Sequence, residues 1–392
     1  GTNSSIFLSF VKSDRLLEPM NNRHHSKDGK SLCQSFSMSS LTMLLCGAFV
    51  WMFLGGSAMA QEAPRMATLP QGAFVPDAEV DSHGVIHVAY LNADDVYYAR
   101  SADEGRTFTK PLRVNTEAGF ASGGRFRGPD LAVGKNDSVH IIWYNAGYQQ
   151  KRPHEDWGVM YTRLDPDTKR FEKARNLNQR PSDNFSLAAD GKGNVAVIWM
   201  AGGVFATRSK NGGKTFLPAA DIKVDPCECC GSRAIYTADG TLSVLYRDKT
   251  EDIRDTNLAQ LAADSDSWSN MVISETPWPI DSCPMTGSFL TLTKSGLAAA
   301  WETKNQIHFT ALDENAKSKP KEIRATDKGR YPVAIAADDG SKLVAWKNDT
   351  TLEWQLFGSD NAPKGDRGSL ANVGEHRPAG VLTKSGTFVL FP

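Results

Sequence analysis

One phrase recurs through residues 61–392 and constrains the fold more than any other feature. It is an apolar strand, a turn carrying Gly or Asp, and a second strand that ends in an aromatic residue. The copies occupy residues 75–90, 128–143, 185–199, 234–246, 289–301, 333–346 and 379–391, and they end on Tyr90, Trp143, Trp199, Tyr246, Trp301, Trp346 and Phe391. The aromatic returns every 45–56 residues, the spacing at which a four-stranded unit repeats around a ring. The small and β-branched residues of the first two strands suit strands covered on both faces. In four copies a third strand follows, over residues 96–100, 158–162, 203–207 and 306–310. No sustained helical periodicity runs through residues 61–392.

These features predict an all-β chain, a β-propeller of four-stranded blades. Seven strand pairs give seven blades, with six as the alternative if the last, shortened pair is over-counted. The seventh copy has two strands before the sequence ends. Residues 62–70, including Met66 and Leu69, are placed to add an outer strand to it and close the ring, leaving no large open edge.

Residues 1–60 are expected to stand apart as an N-terminal extension and export signal. Arg23, Lys27 and Lys30 precede an apolar run over 41–54, which is followed by Ala58-Met59-Ala60. A basic stretch, a short apolar core and a small-x-small site are the pattern of a secretory signal cleaved after Ala60. The run is shorter than the ~20 residues of a membrane span. The expectation is a secreted or periplasmic protein with no stable membrane span after cleavage. Formal net charge is −1, so no global field draws the chain to nucleic acid.

Ser101, Asp103, Gly105, Thr107 and Phe108 fit the pattern S-x-D-x-G-x-T-[FW] at every specified position. Ser209, Asn211, Gly213, Thr215 and Phe216 fit it with Asn for Asp, and weaker versions occur at 164–171 and 264–268. Each follows a third strand. Ser and Asp side chains can bond the turn's own amides, Gly takes the positive φ, and the aromatic packs between blades. The chain therefore resembles the sialidase-like propellers of bacterial neuraminidase (Asp-box) repeats over roughly residues 62–392. In that family the motif is structural and lies opposite the ligand face. The ligand face is built from loops leading into the innermost strand and loops joining the second and third strands.

In this chain the first loop type carries Arg125, Phe126 and Arg127; Arg180 and Asp183; Cys227, Glu228, Cys229, Cys230 and Arg233; Cys283 and Met285; Arg330 and Tyr331; and Glu375, His376 and Arg377. The second type carries residues 145–157, then Arg247 to Asp255, then Glu302 and Lys304. Arg suits bidentate contact with a carboxylate. Arg125, Arg180, Arg233, Arg377 and His376 are thus candidates for an anionic carbohydrate or small anionic ligand, against the alternative that the arginines bridge neighbouring blades through Asp partners or lie in solvent. The resemblance further implies a sialidase-type site of an Arg triad, a Tyr–Glu nucleophile pair and an acid. Phe126-Arg127-Gly128-Pro129 is similar to the family's arginine signature, with Gly at its third position. Arg127, Arg247 and Arg330 would then form the triad, with Tyr331, Tyr236, Glu228 and Glu302 open for the nucleophile pair.

Beyond the leader four cysteines remain, Cys227, Cys229, Cys230 and Cys283, in loops that adjacent blades would set side by side. Export favours two disulfides, with one of the vicinal pair Cys229 and Cys230 bonded to Cys283. A soft-metal centre for copper or zinc, with Met285 and His376 or His154 as further ligands, and a redox-active disulfide are the alternatives. Acidic runs at His154-Glu155-Asp156 and at Asp248, Asp252 and Asp255 are candidates for calcium. The sequence has no phosphate-binding Gly loop, G-x-S-x-G or H-E-x-x-H, which removes support for those chemistries. Two functions stay open: a sialidase-like glycoside hydrolase or anionic-glycan binder, and a non-catalytic propeller scaffold whose Cys-rich rim holds a metal or a partner protein.

Overall fold

The structure is a computed structural model that describes residues 63–146, 151–313 and 319–392. The expected export signal, and residues 147–150 of the loop after the second strand of blade 2, lie outside the described residues. Seven sheets follow one another along the chain, as the repeat predicts. Blade 1 comprises Ala73–Val80, Ile86–Asn92, Asp95–Ser101 and Leu112–Arg113, from the innermost strand outwards. Blades 2 to 6 repeat this meander over residues 130–176, 185–221, 233–272, 288–326 and 330–370. Blade 7 is Ala379–Leu382 and Phe388–Phe391, completed by Arg65–Met66.

That last strand settles the count at seven and closes the ring. It runs parallel to Phe388–Phe391, with Arg65 opposite Val389 and Met66 opposite Leu390. The amide of Ala67 continues the ladder to the Leu390 carbonyl at 2.8 Å. Blades 4 and 6 also have third strands, Thr256–Leu261 and Thr351–Phe357, which the sequence pattern did not single out.

What holds the ring is packing between blades. Each of the seven strand-ending aromatics sits on a second strand and is buried. Trp143 of blade 2 packs in one cluster with Ala89, Leu91, Val96 and Tyr98 of blade 1. Tyr246 of blade 4 does the same with Ile198 and Val204 of blade 3. Trp301 of blade 5 joins Leu245 and Leu258 of blade 4, and Phe391 joins Tyr90 across the closure between blades 7 and 1. Removing one such ring costs about 3–5 kcal/mol.

The motif turns between third and outer strands behave as their residue types require. The Ser101 hydroxyl accepts from the Gly105 amide at 2.8 Å, and Asp103 accepts from the Thr107 amide at 2.9 Å and its hydroxyl at 2.6 Å. Gly105 has φ +82°. Phe108 then meets Phe391 of blade 7 edge-on, and Phe216 of the second turn meets Tyr161 of blade 2.

Near the axis, acidic side chains of one inner strand tie down the next. Asp77 accepts the Leu131 amide at 2.8 Å, Glu79 the Val133 amide at 2.7 Å, and Asp130 the Leu187 amide at 3.3 Å. Arg233 of blade 4 reaches across to Asp77 at 2.9 Å and lies 3.7 Å from Asp130, which Arg377 also approaches at 3.7 Å. Burial pushes Glu79 up to about 7 and Asp130 to about 6, against the pull of the arginines.

Glu79 therefore makes a pH prediction. Its carboxyl ionises near the ordinary 4.5 in the unfolded chain and near 7 in the folded one, so the folded protein loses stability as pH rises through that window. Glu79→Gln keeps an acceptor for the Val133 amide and removes the charge. Urea unfolding should show the variant gaining on the parent from pH 5 to pH 8, with the two converging below about pH 4.5.

Candidate functional site

The meander places the loops into the inner strands and the loops between second and third strands at one end of the ring, and the motif turns at the other. Most of the predicted site residues gather at the first end, but they do not converge on one open point. Phe126, from the loop into blade 2, stacks on Tyr331, at the start of the inner strand of blade 6, with centroids 5.7 Å apart. Both rings are buried, at 7% and 5% exposure, and they fill space between opposite sides of the mouth. Tyr331 has φ +51°.

The arginines have protein partners. Arg233 and Arg247 are buried, the first in the axial carboxylate cluster. Arg247, at the end of the second strand of blade 4, lies over Trp278 and donates to the Arg254 carbonyl at 2.6 Å and to the Glu302 carbonyl on the second strand of blade 5. Arg330 donates to the carbonyls of Pro284 at 2.6 Å and Met285 at 3.0 Å and approaches Glu302 at 3.4 Å. Glu302 is buried and also accepts from Thr286, and burial pushes its carboxyl up. Arg125 pairs with Glu375 at 2.9 Å, and Arg377 serves the axis. His376 packs on Phe74, with centroids 4.9 Å apart. Acidic partners on other blades, the alternative raised from the sequence, are present for Arg125, Arg233, Arg330 and Arg377, whereas Arg247 bridges blades 4 and 5 through a backbone carbonyl.

Arg127 and Arg180 differ in facing an open cleft of about 780 Å³ between blades 2 and 3. Arg127 pairs with Asp183 and lies 3.4 Å from the Cys229 carbonyl. Arg180 lies 4.8 Å over Phe205 and donates to the Ala201 carbonyl at 3.1 Å; among the described residues it has no carboxylate partner. Tyr144 supplies partly exposed aromatic surface and the buried Phe185 an edge of the wall, and Asp94, Asp183 and Glu228 supply carboxylates. Burial raises the Asp183 carboxyl despite Arg127. The sequence reading missed Tyr144 and Phe185. Their signal was present, since Tyr144 follows the buried Trp143 on a strand and must point the other way.

The cysteines form the adjoining rim. Cys229 and Cys283 are joined by a disulfide, with Cα atoms 6.5 Å apart, while Cys227 and Cys230 are free and buried. The expectation of two disulfides is thereby corrected to one. The Cys227 and Cys230 sulfurs stand 3.7 Å apart, in contact but not bonded. Burial raises the Cys230 thiol, but Cys227, Arg247 and the amides of Thr286 and Met285 outweigh it and bring it down to about 7. Cys227 moves the other way, held up by Cys230 and by burial. Met285 is half exposed, at 49%. Neither acidic run gathers three ligand atoms within 4.8 Å among the described residues; the only non-cysteine group that does is Asp81, His83 and Asp137, beside the turn after the first strand of blade 1.

No family model matches the chain, and no curated protein matches it in sequence. Many solved structures share its fold. A protein of unknown function from Dyadobacter fermentans is 12% identical, covering 79% of this chain and 97% of its own, with TM-score 0.48. The Hadza microbial sialidase Hz136 is 13% identical over 70% of this chain and 63% of its own, also at 0.48. The six-bladed fucose-recognising lectin of Aleuria aurantia is 11% identical over 77% and 96%, at 0.47. Similarity at this level concerns the propeller fold and assigns no chemistry to the cleft.

The single disulfide is directly measurable. Non-reducing digestion should yield one peptide pair linking Cys229 to Cys283, with Cys227 and Cys230 alkylated only after unfolding. Cys283→Ser opens a loop closed over a separation of 54 residues. It should lower stability by about 4 kcal/mol in denaturant titrations.

Proposed function

We propose that this chain is an exported, sialidase-like propeller that binds an acidic carbohydrate in the cleft between blades 2 and 3. The observation that carries the reading is the make-up of that cleft. About 780 Å³ of open space combines the partly exposed Tyr144 ring and the edge of Phe185, the carboxylates Asp183 and Glu228, and Arg180, which has no acidic partner among the described residues. Sugar rings pack their C–H faces on aromatic groups, and their hydroxyls donate to carboxylates. Arg180 offers a planar donor fork for the ligand's carboxylate. The phase of the two motif turns supports the kinship with sialidase-like repeats. The Cys229–Cys283 disulfide supports work in an oxidising compartment.

The reading treats binding as the primary activity. Hydrolysis would need a nucleophile, and Tyr331 and Glu302, which the resemblance nominates, are both buried beside Arg330 rather than in this cleft. Calorimetry against uronic-acid and sialic-acid glycans, with neutral glycans as controls, tests the proposal. Acidic glycans should bind, and Arg180→Ala should weaken them about 10- to 100-fold while leaving the fold unchanged, as expected for a lost charge-assisted contact. Equal binding by Arg180→Ala, or no binding of acidic glycans by the parent, would refute it.

A further inference from the structure

The four cysteines do more than close one loop. Cys227, Cys229 and Cys230 come from the loop into blade 4 and Cys283 from the loop into blade 5, yet all four sulfurs lie within 4.8 Å of one another. Cys227 is the hub: its sulfur is 3.7 Å from Cys229, 3.7 Å from Cys230 and 3.9 Å from Cys283. Four thiolates about 2.3 Å from a tetrahedral zinc ion stand about 3.8 Å from one another. Three of the six edges of such a tetrahedron are therefore already at length.

The backbone holds this arrangement independently of the sulfurs. The Cys230 amide turns back on the Cys227 carbonyl at 2.9 Å, the Cys227 amide bonds the Arg247 carbonyl at 2.8 Å, and the Gly231 amide bonds the Thr286 carbonyl at 2.8 Å. The last contact fixes the two loops against each other. The surroundings suit bound thiolates as well. Amides of Thr286 and Met285 face the Cys230 sulfur, the outer-shell donors that orient and stabilise metal-bound thiolate. The Arg247 and Arg254 guanidinium groups lie beside Cys227, and Nε of Arg254 is buried without a partner among the described residues. A tetrathiolate zinc centre carries a net charge of about −2, which a buried rim tolerates only with such positive charge nearby.

We propose that, once the Cys229–Cys283 bond is reduced, Cys227, Cys229, Cys230 and Cys283 bind one soft d10 cation, zinc or copper(I), across the seam between blades 4 and 5. The steps balance. A dithiol reductant gives two electrons and two protons to the disulfide, yielding two cysteine thiols and an oxidised dithiol. Four thiols then bind the ion as thiolates and release four protons. The disulfide form and the metal form exclude each other, so the rim reports redox state through its metal content. This site adjoins the glycan cleft, with Glu228 lining both, but does not depend on glycan binding there.

The test uses the full chain, reduced with a phosphine under argon, and three probes: cobalt(II), zinc and buffered copper(I). One equivalent of cobalt should give the intense visible bands of tetrahedral tetrathiolate coordination, and zinc or copper(I) should displace it. Whichever of the two displaces cobalt at lower free concentration identifies the preferred ion. Zinc should also raise the melting temperature of the reduced protein, and the disulfide form should bind no metal. Cys227→Ser keeps the disulfide and should lower affinity by more than about 100-fold, beyond the effect of losing an outer-shell partner. Substoichiometric metal on the fully reduced, folded chain overturns the proposal. So do a cobalt spectrum lacking thiolate coordination and a Cys227→Ser variant that binds as tightly as the parent. If Cys227→Ser does not fold, the cobalt spectrum of the parent decides alone.

Discussion

Everything in this molecule depends on aromatic rings wedged between neighbouring blades. No blade can bury both faces alone, because a four-stranded antiparallel sheet leaves at least one apolar side open. Trp143, Trp199, Tyr246, Trp301, Trp346 and their counterparts Tyr90 and Phe391 resolve this by packing against the adjacent blade. Burial is thus satisfied only in a ring, and the angle between blades follows from the size of the wedge. The loops at the two ends are left free of packing duty, so their side chains can take on chemistry.

The axial charges add a second, directional constraint. Asp77 and Asp130 each hold the next inner strand by a backbone amide, and Arg233 crosses the ring to both. Buried ion pairs of this kind contribute little net stability against apolar replacements, but they penalise misregistered strands severely. We read them as fixing which edge of each inner strand faces its neighbour. The same arginines that a sequence suggests for a ligand are thereby committed to the frame.

The fold was legible because its signal is local. A strand, turn and aromatic-ended strand all lie within about 16 residues, and the repeat multiplies the evidence. Outer strands such as Leu112–Arg113 and Arg175–Asn176 were not legible, since two residues, exposed in the first and partly buried in the second, carry no periodicity. The site was legible only as a set of residue types at one end. Whether an arginine serves a ligand or a neighbour depends on partners far away in sequence: Arg233 and Asp77 are 156 residues apart. The cysteines were read better, because their two loops hold equivalent positions in successive blades and the ring makes equivalence into proximity. Even there, which sulfurs are bonded required the geometry, with Cys227 falling at the centre and not at the bonded edge.

The parallel strand Arg65–Met66 has a consequence for the order of events in the life of the chain. Its partners are Val389 and Leu390, so the first strand of the ring to be made pairs with the last. A chain made from its N-terminus exposes Arg65 and Met66 long before their partners exist. Blades 1 to 6 can assemble in sequence from neighbouring segments, while the seam stays open throughout. Closure is a long-range contact of the slowest kind, and it waits on delivery of the whole polypeptide. A truncated or stalled product would therefore present two bare blade edges at once, a half-open collar rather than a frayed end.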